Sequence, residues 1–360
     1  MQAFPATCQE LVAAYRGGGS GRFSLRLRLG RTRLRLRGDD AGLMDALAGR
    51  YRDFVADGDG PADLEIALLE HGPVPFSLPF AVWEGADEAA KEEYVDLADG
   101  RVVRKRRTGL WLVFGPAGHF VLGPCRDHVD QVANYVNARA ADRELAAGAS
   151  LFHAAGVALG ERGLALAGLA GAGKSTLALE LTRRGADFVT NDRRLVGPAQ
   201  APGAGLAMTG VARPPRVNPG TLVFNDRLAG LLPEADRAAY ARLPAEALRR
   251  LERKYDVPIG DCFGPGRFRL RAPLAALVVL RWRPGQGNMT ARRTGLAESP
   301  ELLPAFMKDV SVLFARGPRR ARPEDYLTLL ADCPVLLLEG GTDFDRAAGM
   351  CLELLAGPGA

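Results

Sequence analysis

A glycine-rich stretch between positions 168 and 176 carries the clearest chemistry in this chain. It reads Gly-Leu-Ala-Gly-Ala-Gly-Lys-Ser-Thr and matches the Walker A pattern GxxxxGK(S/T). Its glycines can take the positive φ angles that let successive backbone N–H groups surround an anionic phosphate beside a helix N-terminus. Lys174 would reach the β- and γ-phosphates, and the Ser175 hydroxyl would ligate Mg²⁺. The residues predicted to bind the phosphates are Gly168, Gly171, Ala172, Gly173, Lys174, Ser175 and Thr176.

The residues on either side of this loop have the pattern that the motif requires. Residues 163–167 form an apolar run that predicts a buried strand. Residues 177–184 place apolar side chains at helical spacing, and Gly185 follows as a stop signal. Most basic residues in the chain are arginines, so the lysine inside the loop differs from the usual basic residue of this chain and supports the motif. The alternative is a strand-to-helix turn in a chain that is rich in glycine and alanine.

Composition and length favour a globular protein with two domains. The chain has 360 residues, of which 47% are hydrophobic and 25% are charged. No apolar run approaches the ~20 residues that span a bilayer, and the N-terminus lacks the pattern of a signal peptide. We therefore expect a cytoplasmic protein with no membrane partner. The five cysteines are scattered without metal-ligand spacing, which argues against zinc and against a disulfide framework.

The composition from Leu151 onward differs from that of the preceding residues and suggests a domain boundary near residues 148–150. Residues 1–149 predict an N-terminal α+β domain with antiparallel strands, including a strictly alternating hairpin at 23–37 after a glycine break at 17–21. Residues 150–360 have the composition of an α/β nucleotide-binding domain. Within it we expect strands at 274–280 and 335–338 and helices at 233–254 and 344–355.

Two basic surfaces are predicted in the N-terminal domain. The first is the hairpin face, with arginines at positions 26, 28, 31, 33, 35 and 37, and the second is the run Arg101, Arg104, Lys105, Arg106 and Arg107. Such a surface could dock an acidic protein or a nucleic acid. The other interpretation is a solvated face that is balanced by Asp87, Glu88, Glu92 and Glu93. Aromatic residues do not alternate with these arginines, which argues against single-stranded nucleic acid as a partner.

Four segments together resemble the HPr kinase/phosphorylase family, whose nucleotide domain is similar to that of phosphoenolpyruvate carboxykinase. They are the run that begins at His153, the glycine loop, the run from Arg184 to Arg193, and residues 254–267 leading into the 274–280 strand. With residues 215–221 and 342–344, the chain looks most like the HprK-related kinases. The resemblance covers residues 150–355. It implies an α/β P-loop domain of HPr kinase/phosphoenolpyruvate carboxykinase type, preceded by a smaller α+β domain.

The resemblance also implies roles for individual residues. Asp192 would hold Mg²⁺ opposite Ser175, and His153 matches the family's histidine near the γ-phosphate. Arg216 follows Pro215 in a predicted stiff turn, so its guanidinium could bind a phosphate or a carboxylate. Arg267 could bind an anion in the same way. Each of these residues also has a simpler interpretation. Asp192 could be a solvated loop aspartate beside two arginines, and His153 could be a structural histidine. Arg216 and Arg267 could each be an exposed arginine in a turn.

One departure from the family pattern affects the chemistry. In HPr kinase two aspartates are adjacent and the first is the general base, whereas this chain has Asn191 at that position. An amide cannot accept a proton as a carboxylate does. Three interpretations stay open: Asp192 does both tasks, another group such as His153 or a substrate group is the base, or the protein binds nucleotide and transfers slowly.

The predicted function is an ATP- and Mg²⁺-dependent kinase that transfers the γ-phosphate to a hydroxyl, such as a seryl group, on an unidentified protein or small molecule. Asn191 motivates an alternative, an ATP-binding switch or scaffold with little transfer. A conventional P-loop hydrolase is a third interpretation, with Glu339 as its acid after the 335–338 strand. The choice between ATP, GTP and pyrophosphate stays open, and so does assembly into a homo-oligomer.

Overall fold

The chain divides into two compact units. The computed structural model describes residues 5–15, 21–58, 60–74, 77–84, 90–199 and 205–357. The first unit comprises residues 1–146 together with 309–320, and the second comprises 147–308 together with 321–360. The sequence did not indicate that residues 309–320 pack with the first unit. The division into an N-terminal domain at 1–149 and a second domain at 150–360 stays a prediction.

The first unit contains three α-helices and one mixed sheet. Its elements are α1 (Cys8–Tyr15), β1 (Phe23–Leu29), β2 (Thr32–Gly38), α2 (Ala41–Arg50), β3 (Leu64–Glu70), β4 (Glu92–Leu97), β5 (Gly100–Lys105), β6 (Trp111–Gly115), β7 (Gly118–Gly123) and α3 (Val129–Ala146). The strand order is β1-β2-β3-β7-β6-β5-β4. The predicted antiparallel strands are present in four strand pairs, whereas the β2–β3 and β3–β7 pairs are parallel, which the sequence did not indicate. A parallel β2–β3 pair needs a crossover connection, and α2 lies in that connection.

The alternating hairpin forms as predicted, and its leucines are buried. Leu25, Leu27 and Leu29 of β1 and the leucines of β2 are at most 9% exposed. The prediction that six arginines share one face is wrong for Arg31, which lies in the turn. Arg31 donates two hydrogen bonds, of 2.9 and 2.8 Å, to Glu144 of α3. The turn is thereby attached to the helix that covers the sheet.

Acidic side chains pair with much of the remaining basic surface. Arg33 lies 3.3 Å from Asp63. In the second basic run, Glu93 pairs with Arg104 and Glu92 with Lys105, as the solvated-face interpretation predicts. Asp87, Glu88 and most of the predicted glycine break, at 17–20, lie outside the described residues.

The described residues of the second unit contain an eight-stranded sheet with helices packed against it. Its strands are β8 (Ser150–Leu159), β9 (Arg162–Gly168), β10 (Asp187–Thr190), β11 (Arg193–Pro198), β12 (Leu206–Gly210), β13 (Arg216–Val217), β14 (Tyr255–Asp256), β15 (Arg271–Trp282), β16 (Met289–Thr294) and β17 (Val335–Gly340). Its helices are α4 (Lys174–Arg183), α5 (Pro219–Val223), α6 (Glu234–Ala241), α7 (Ala245–Arg250), α8 (Ile259–Phe263), α9 (Pro323–Leu329) and α10 (Phe344–Ala356). β13 and β14 form a separate two-stranded sheet. The chain is therefore a mixed α/β protein.

Strand pairing closes five strands of the large sheet into a ring. β8 pairs with β11 at residues 150–153 and with β9 at 154–159, while β15 pairs with β12 at 271–273 and with β9 at 274–280. β11 pairs with β12 and completes the ring. A Cβ atom at Gly163 would lie 2.6 Å from the Pro273 carbonyl oxygen, so the strands can approach this closely only at a glycine.

Arg194 lies inside this ring and is fully buried. Its Nη1 atom is 3.3 Å from the Met208 sulfur and 3.5 Å from the Leu164 carbonyl oxygen. Burial lowers the pKa of Arg194 to about 9. Of the two arginines that follow Asp192, Arg194 is therefore a core residue.

Different elements pack on the two faces of the second sheet. One face forms a core with Phe152, Ala154, Val279 and Leu337, and Phe306 and Tyr326 pack onto it. α4 packs against β8 and β9, and α10 packs against α4. His153 alternates with Phe152 and Ala154 along β8, so it lies on the opposite face from this core.

One predicted helix is wrong in its extent. Residues 233–254 contain two shorter helices, α6 and α7, and residues 251–254 are not helical. Pro244 interrupts the pattern because a proline lacks the backbone N–H that an interior helix position needs. Tyr255 and Asp256, which follow these helices, form strand β14. Within the described residues, no helix is long and apolar enough to cross a membrane.

Removal of the Tyr326 hydroxyl tests how the segment 306–308 is held beside β8. This hydroxyl lies 2.5 Å from the Leu151 carbonyl oxygen and accepts a hydrogen bond from the Lys308 N–H. Because both groups would lose a buried partner, Tyr326→Phe should lower the free energy of unfolding by about 1–3 kcal/mol. Urea unfolding measures this change.

Tyr94→Phe is the matched control, since the Tyr94 hydroxyl has no protein hydrogen bond among the described residues. It should change the free energy of unfolding by less than about 0.5 kcal/mol. Equal losses in the two variants would show that the Tyr326 hydroxyl does not hold the segment.

Candidate functional site

Three neighbouring strands bring His153, Gly168 and Asp192 to the same end of the second sheet. β8 and β9 are antiparallel with Ala154 opposite Ala167, which places His153 beside the first glycine of the loop. On the other side of β8, the Ala154 N–H donates to the Asp192 carbonyl oxygen over 3.1 Å. The strand register thus joins two of the segments that the sequence singled out to the glycine loop.

The loop after β9 has the backbone geometry that its glycines predict. Gly168, Gly171 and Gly173 have φ angles of +150°, +78° and +88°. A Cβ atom at Gly168 would lie 2.7 Å from the Leu280 carbonyl oxygen, and one at Gly173 would lie 2.6 Å from the Phe344 ring. Only glycine fits at these two positions, both because of the φ angle and because of the space.

Two aromatic side chains outside the motif, Trp282 and Phe344, pack beside the loop. Trp282 at the end of β15 donates its indole N–H to the Ala172 carbonyl oxygen over 2.8 Å. Its ring packs edge-on against Phe344 of α10 at a centroid distance of 5.1 Å. The sequence analysis did not single out Trp282, because its link to the loop comes from the parallel pairing of β15 with β9.

Lys174 begins α4 and is 8% exposed. Its Nζ atom donates to the carbonyl oxygens of Gly168 and Leu169 over 2.7 and 3.1 Å. Burial lowers the pKa of Lys174, and the negative charge of Asp192 opposes that effect. No carboxylate lies within ion-pair distance of Lys174 among the described residues, so its charge is not yet balanced. An anion bound in the loop would balance it.

His153 and Asp192 form a close polar pair. The Nδ1 atom of His153 lies 3.0 Å from Oδ1 of Asp192, and the two side chains are 32% and 56% exposed. The hydrogen bond from His153 is the largest influence that lowers the pKa of Asp192 to about 2, with Arg193 and Lys308 acting in the same direction and burial opposing them. Asp192 is therefore ionised at neutral pH. With Nδ1 directed at the carboxylate, the Nε2 atom of His153 is left for another partner.

Lys308 is a site residue that the sequence analysis missed. The His153 N–H donates to the Phe306 carbonyl oxygen over 2.8 Å, and Met307 bridges to Phe152, so residues 306–308 run beside the start of β8. The charge of Lys308 acts on Asp192, as noted above. The available signal was composition: Lys308 is one of five lysines in the chain, and another is Lys174.

Asn191 lies between β10 and β11, next to Asp192. Its side-chain oxygen is buried and has no hydrogen-bond partner among the described residues. A buried carbonyl oxygen without a donor is unfavourable, which makes it a place where a ligand or water would be stabilised. The residue that replaces the expected second carboxylate therefore has an unused acceptor beside the His153–Asp192 pair.

Few side chains near the loop offer oxygen atoms to a metal ion. Among the described residues, no group of three or more histidine, cysteine, aspartate or glutamate side chains could hold a metal. Mg²⁺ in nucleotide sites commonly keeps several waters and uses one or two carboxylates together with substrate phosphates. Ser175 and Asp192 can supply one hydroxyl and one carboxylate of this kind.

Thr176, the last residue of the motif, contacts a second segment. Its hydroxyl lies 2.8 Å from the Thr221 hydroxyl of α5. This hydrogen bond links the start of α4 to α5, two residues after strand β13, which contains Arg216.

The structure does not bring Arg216 to the loop. Arg216 pairs with Asp256 over 3.2 Å, and both side chains are about half or more exposed. Among the described residues, no hydrogen bond or ion pair joins Arg216 to the glycine loop, His153 or Asp192. Arg267 pairs with Asp187 over 3.1 Å, and Glu339 pairs with Arg281. Glu339, the acid of the hydrolase interpretation, is thus engaged by a basic neighbour.

Comparison with solved structures finds the Hpr(Ser) kinase/phosphatase from Coxiella burnetii. The match has 11% sequence identity, covers 57% of this chain and 93% of that chain, and has a TM-score of 0.29. A TM-score this low does not establish a common fold, so the match assigns neither a fold nor an activity to this chain. No family model matches the sequence, and no curated protein matches it.

The pKa of Asp192 makes a testable contribution to stability at acidic pH. Because folding lowers this pKa from its ordinary 3.8 to about 2, the stabilisation by the charged carboxylate is complete above the ordinary value and is lost as pH falls through about 2. The difference in unfolding free energy between the wild type and Asp192→Asn should therefore stay constant near neutral pH and shrink between about pH 4 and pH 2. Urea unfolding at a series of pH values measures it.

The same comparison in a His153→Gln background is the control, because the imidazole is the main cause of the shift. The acid dependence should be much weaker there. An unchanged acid dependence would show that His153 is not what lowers the pKa of Asp192.

Proposed function

We propose that this protein is an ATP- and Mg²⁺-dependent kinase that transfers the γ-phosphoryl group to a hydroxyl, with a P-loop domain of HPr kinase type in its second unit. The observation that carries the proposal is the position of the glycine loop beside the His153–Asp192 pair, at the same end of adjacent strands. Phosphoryl transfer needs a phosphate cradle, a cation and a group that receives the hydroxyl proton within one site. A kinase of this kind would act in the cytoplasm, where ATP is available.

The loop supplies the phosphate cradle. The backbone N–H groups of residues 168–176 and the N-terminus of α4 would bind the β- and γ-phosphates. Lys174 would exchange its bonds to the Gly168 and Leu169 carbonyl oxygens for phosphate oxygens, which carry negative charge and are stronger acceptors. The rigid support from Trp282 and Phe344 keeps the loop open for this exchange.

Ser175 and Asp192 would hold Mg²⁺, beside His153 at 3.0 Å from Oδ1 and Arg193 at 3.8 Å from Oδ2 of the carboxylate. The ion would neutralise charge that develops on the phosphate oxygens. Asp192 suits this role because it is ionised over the whole physiological pH range. Its low pKa makes it a poor proton acceptor for the same reason.

His153 is the best candidate for the general base. Asp192 orients its ring through Nδ1, so that Nε2 can take the proton of the attacking hydroxyl, and the imidazolium that forms is stabilised by the carboxylate. This arrangement supports the second of the three interpretations of Asn191. The Asn191 side-chain oxygen could accept a hydrogen bond from the acceptor substrate, but it could not take its proton.

The acceptor is a hydroxyl on a protein or a small molecule that this site leaves unidentified. Lys308 and Arg193 add positive charge beside the His153–Asp192 pair. They would help to hold the γ-phosphoryl group as it leaves ADP, because charge on its oxygens must be balanced through the transfer.

A nucleotide-dependent switch is the second candidate. The Thr176–Thr221 hydrogen bond favours it, because a change at the start of α4 on nucleotide binding would be felt directly in α5. A switch would bind MgATP with the same loop residues but would show no transfer to any acceptor.

Removal of the loop lysine tests nucleotide binding. Lys174→Ala should weaken MgATP binding by about tenfold or more, because a charge-assisted contact to the phosphates is lost. Isothermal titration calorimetry measures the affinity, and thermal unfolding checks that the variant is folded.

The control for this prediction is Lys254→Ala, which removes an exposed lysine of the same unit. It should bind MgATP like the wild type. Wild-type affinity in Lys174→Ala would remove the glycine loop from the nucleotide site.

Exchange of His153 tests the proton acceptor. With γ-labelled ATP, Mg²⁺ and an extract of the source cell as the supply of acceptors, His153→Gln should reduce labelling by about a hundredfold while MgATP affinity changes little. Asn191→Asp should restore part of the lost rate in the His153→Gln background, because it returns a carboxylate next to the site.

Asn191→Asp alone should have little effect on labelling if His153 is already the base. Full activity of His153→Gln would show that another group takes the proton. Normal MgATP binding without labelling in the wild type would favour the switch.

A further inference from the structure

One cavity in the first unit has no role in the proposed kinase site. Its volume is about 660 Å³, within the range of small-molecule sites in proteins. It lies between the sheet and the C-terminal half of α3, and all of its lining residues belong to the first unit. Leu64, Leu97 and Phe114 form an apolar part of the wall, and arginines form much of the rest.

The acids in the cavity wall are each paired with an arginine. Asp63 pairs with Arg33, Asp96 with Arg101, and Asp142 with Arg139. Arg33 is not itself a lining residue.

Two lining arginines remain without a carboxylate partner among the described residues, Arg143 and Arg316. Arg143 donates only to the Asp63 carbonyl oxygen, over 3.4 Å, and both side chains are exposed toward solvent. The charges of Arg143 and Arg316 act on Asp63 and Asp142, but four lining arginines against three lining aspartates leave the cavity wall with a net charge of +1.

Two polar groups in the wall are also left with unused hydrogen-bonding atoms. Arg139 is 2% exposed, its guanidinium carbon lies 3.7 Å from the centre of the Phe114 ring, and its Nε atom has no hydrogen-bond partner among the described residues. The Nδ1 atom of His119 is likewise buried without a partner. Burial and the charge of Arg139 lower the pKa of His119 to about 4, so the ring is neutral at physiological pH.

A buried arginine that retains an unsatisfied N–H group is costly, and an anion would relieve that cost. An arginine pair offers planar, multiple donors that match carboxylate and phosphate oxygens. A neutral histidine adds a hydrogen bond without adding charge. The apolar wall would hold the carbon skeleton of a small molecule.

We propose that this cavity binds a small organic anion, whose carboxylate or phosphate oxygens are held by Arg143 and Arg316 and whose carbon skeleton lies against Leu64, Leu97 and Phe114. Inorganic phosphate and succinate separate the two sources of anionic oxygen. This binding does not depend on the proposed kinase activity, since none of the residues belongs to the second unit.

Nuclear magnetic resonance of the histidine rings tests the proposal in the full-length protein. The chain has four histidines, so the ring signals are few, and His119→Gln identifies the His119 signal. At constant ionic strength, succinate or phosphate should shift the His119 signal with saturation, while the signals of His71 and His128 stay unchanged. Phosphate that enters the glycine loop would move the His153 signal, so the two sites are read separately.

The double variant Arg143→Ala and Arg316→Ala should weaken the binding that His119 reports by about tenfold or more, since charge-assisted hydrogen bonds are lost. Both side chains are exposed, so their removal should leave the fold intact. Arg28→Ala is the matched control: it removes an exposed arginine of the same unit outside the cavity and should leave the affinity unchanged.

The proposal is overturned if neither anion produces a saturable shift of the His119 signal. It is also overturned if the double variant binds like the wild type, or if Arg28→Ala weakens binding as much as the double variant does. The last result would mean that only the net charge of the protein attracts the anion.

Discussion

The candidate site depends on the two pairings of strand β8. Its first residues pair with β11 and its later residues pair with β9, so one strand carries both neighbours of the site. The hydrogen-bond ladder ends with Ala154 opposite Ala167, so His153 and Gly168 each lie one residue beyond the last pair, and the Asp192 carbonyl oxygen accepts from the Ala154 N–H. A register shift of one residue would turn His153 into the core face and remove it from the loop. The closure of the five-stranded ring restricts such a shift.

The electrostatics of the site follow from this placement. Asp192 is half exposed, yet His153, Arg193 and Lys308 hold it ionised far below neutral pH. Lys174 is buried and donates to neutral carbonyl oxygens only. The negative charge of Asp192 therefore lies beside His153. The positive charge of Lys174 lies in the loop and has no carboxylate within ion-pair distance among the described residues. This separation suits a site that receives phosphate at one end and a proton at the other.

Much of the local structure could be predicted from residue patterns. The alternation of leucine and arginine in 23–37 identified a hairpin, because a period of two puts one residue type on each face. The positive φ angles of the loop were expected from its glycines, and the close approach of Leu280 and Phe344 admits no side chain at Gly168 and Gly173. Arg31 was misplaced because its partner, Glu144, is more than a hundred residues away. The extent of the 233–254 helix was wrong because the period continued past Pro244.

The sequence by itself determined the elements that carry the site: a strand, a glycine loop and a helix with a lysine at its start, followed by an acidic residue beside an asparagine. These features follow from local backbone preferences and from spacing along the chain. Tertiary structure alone decided that Asp192 contacts His153, that Lys308 lies beside them, that Arg194 is buried, and that Arg216 turns to Asp256 instead of the loop. Each of these depends on pairing between strands or segments that are distant in sequence, and no periodicity in a single segment encodes such a pairing.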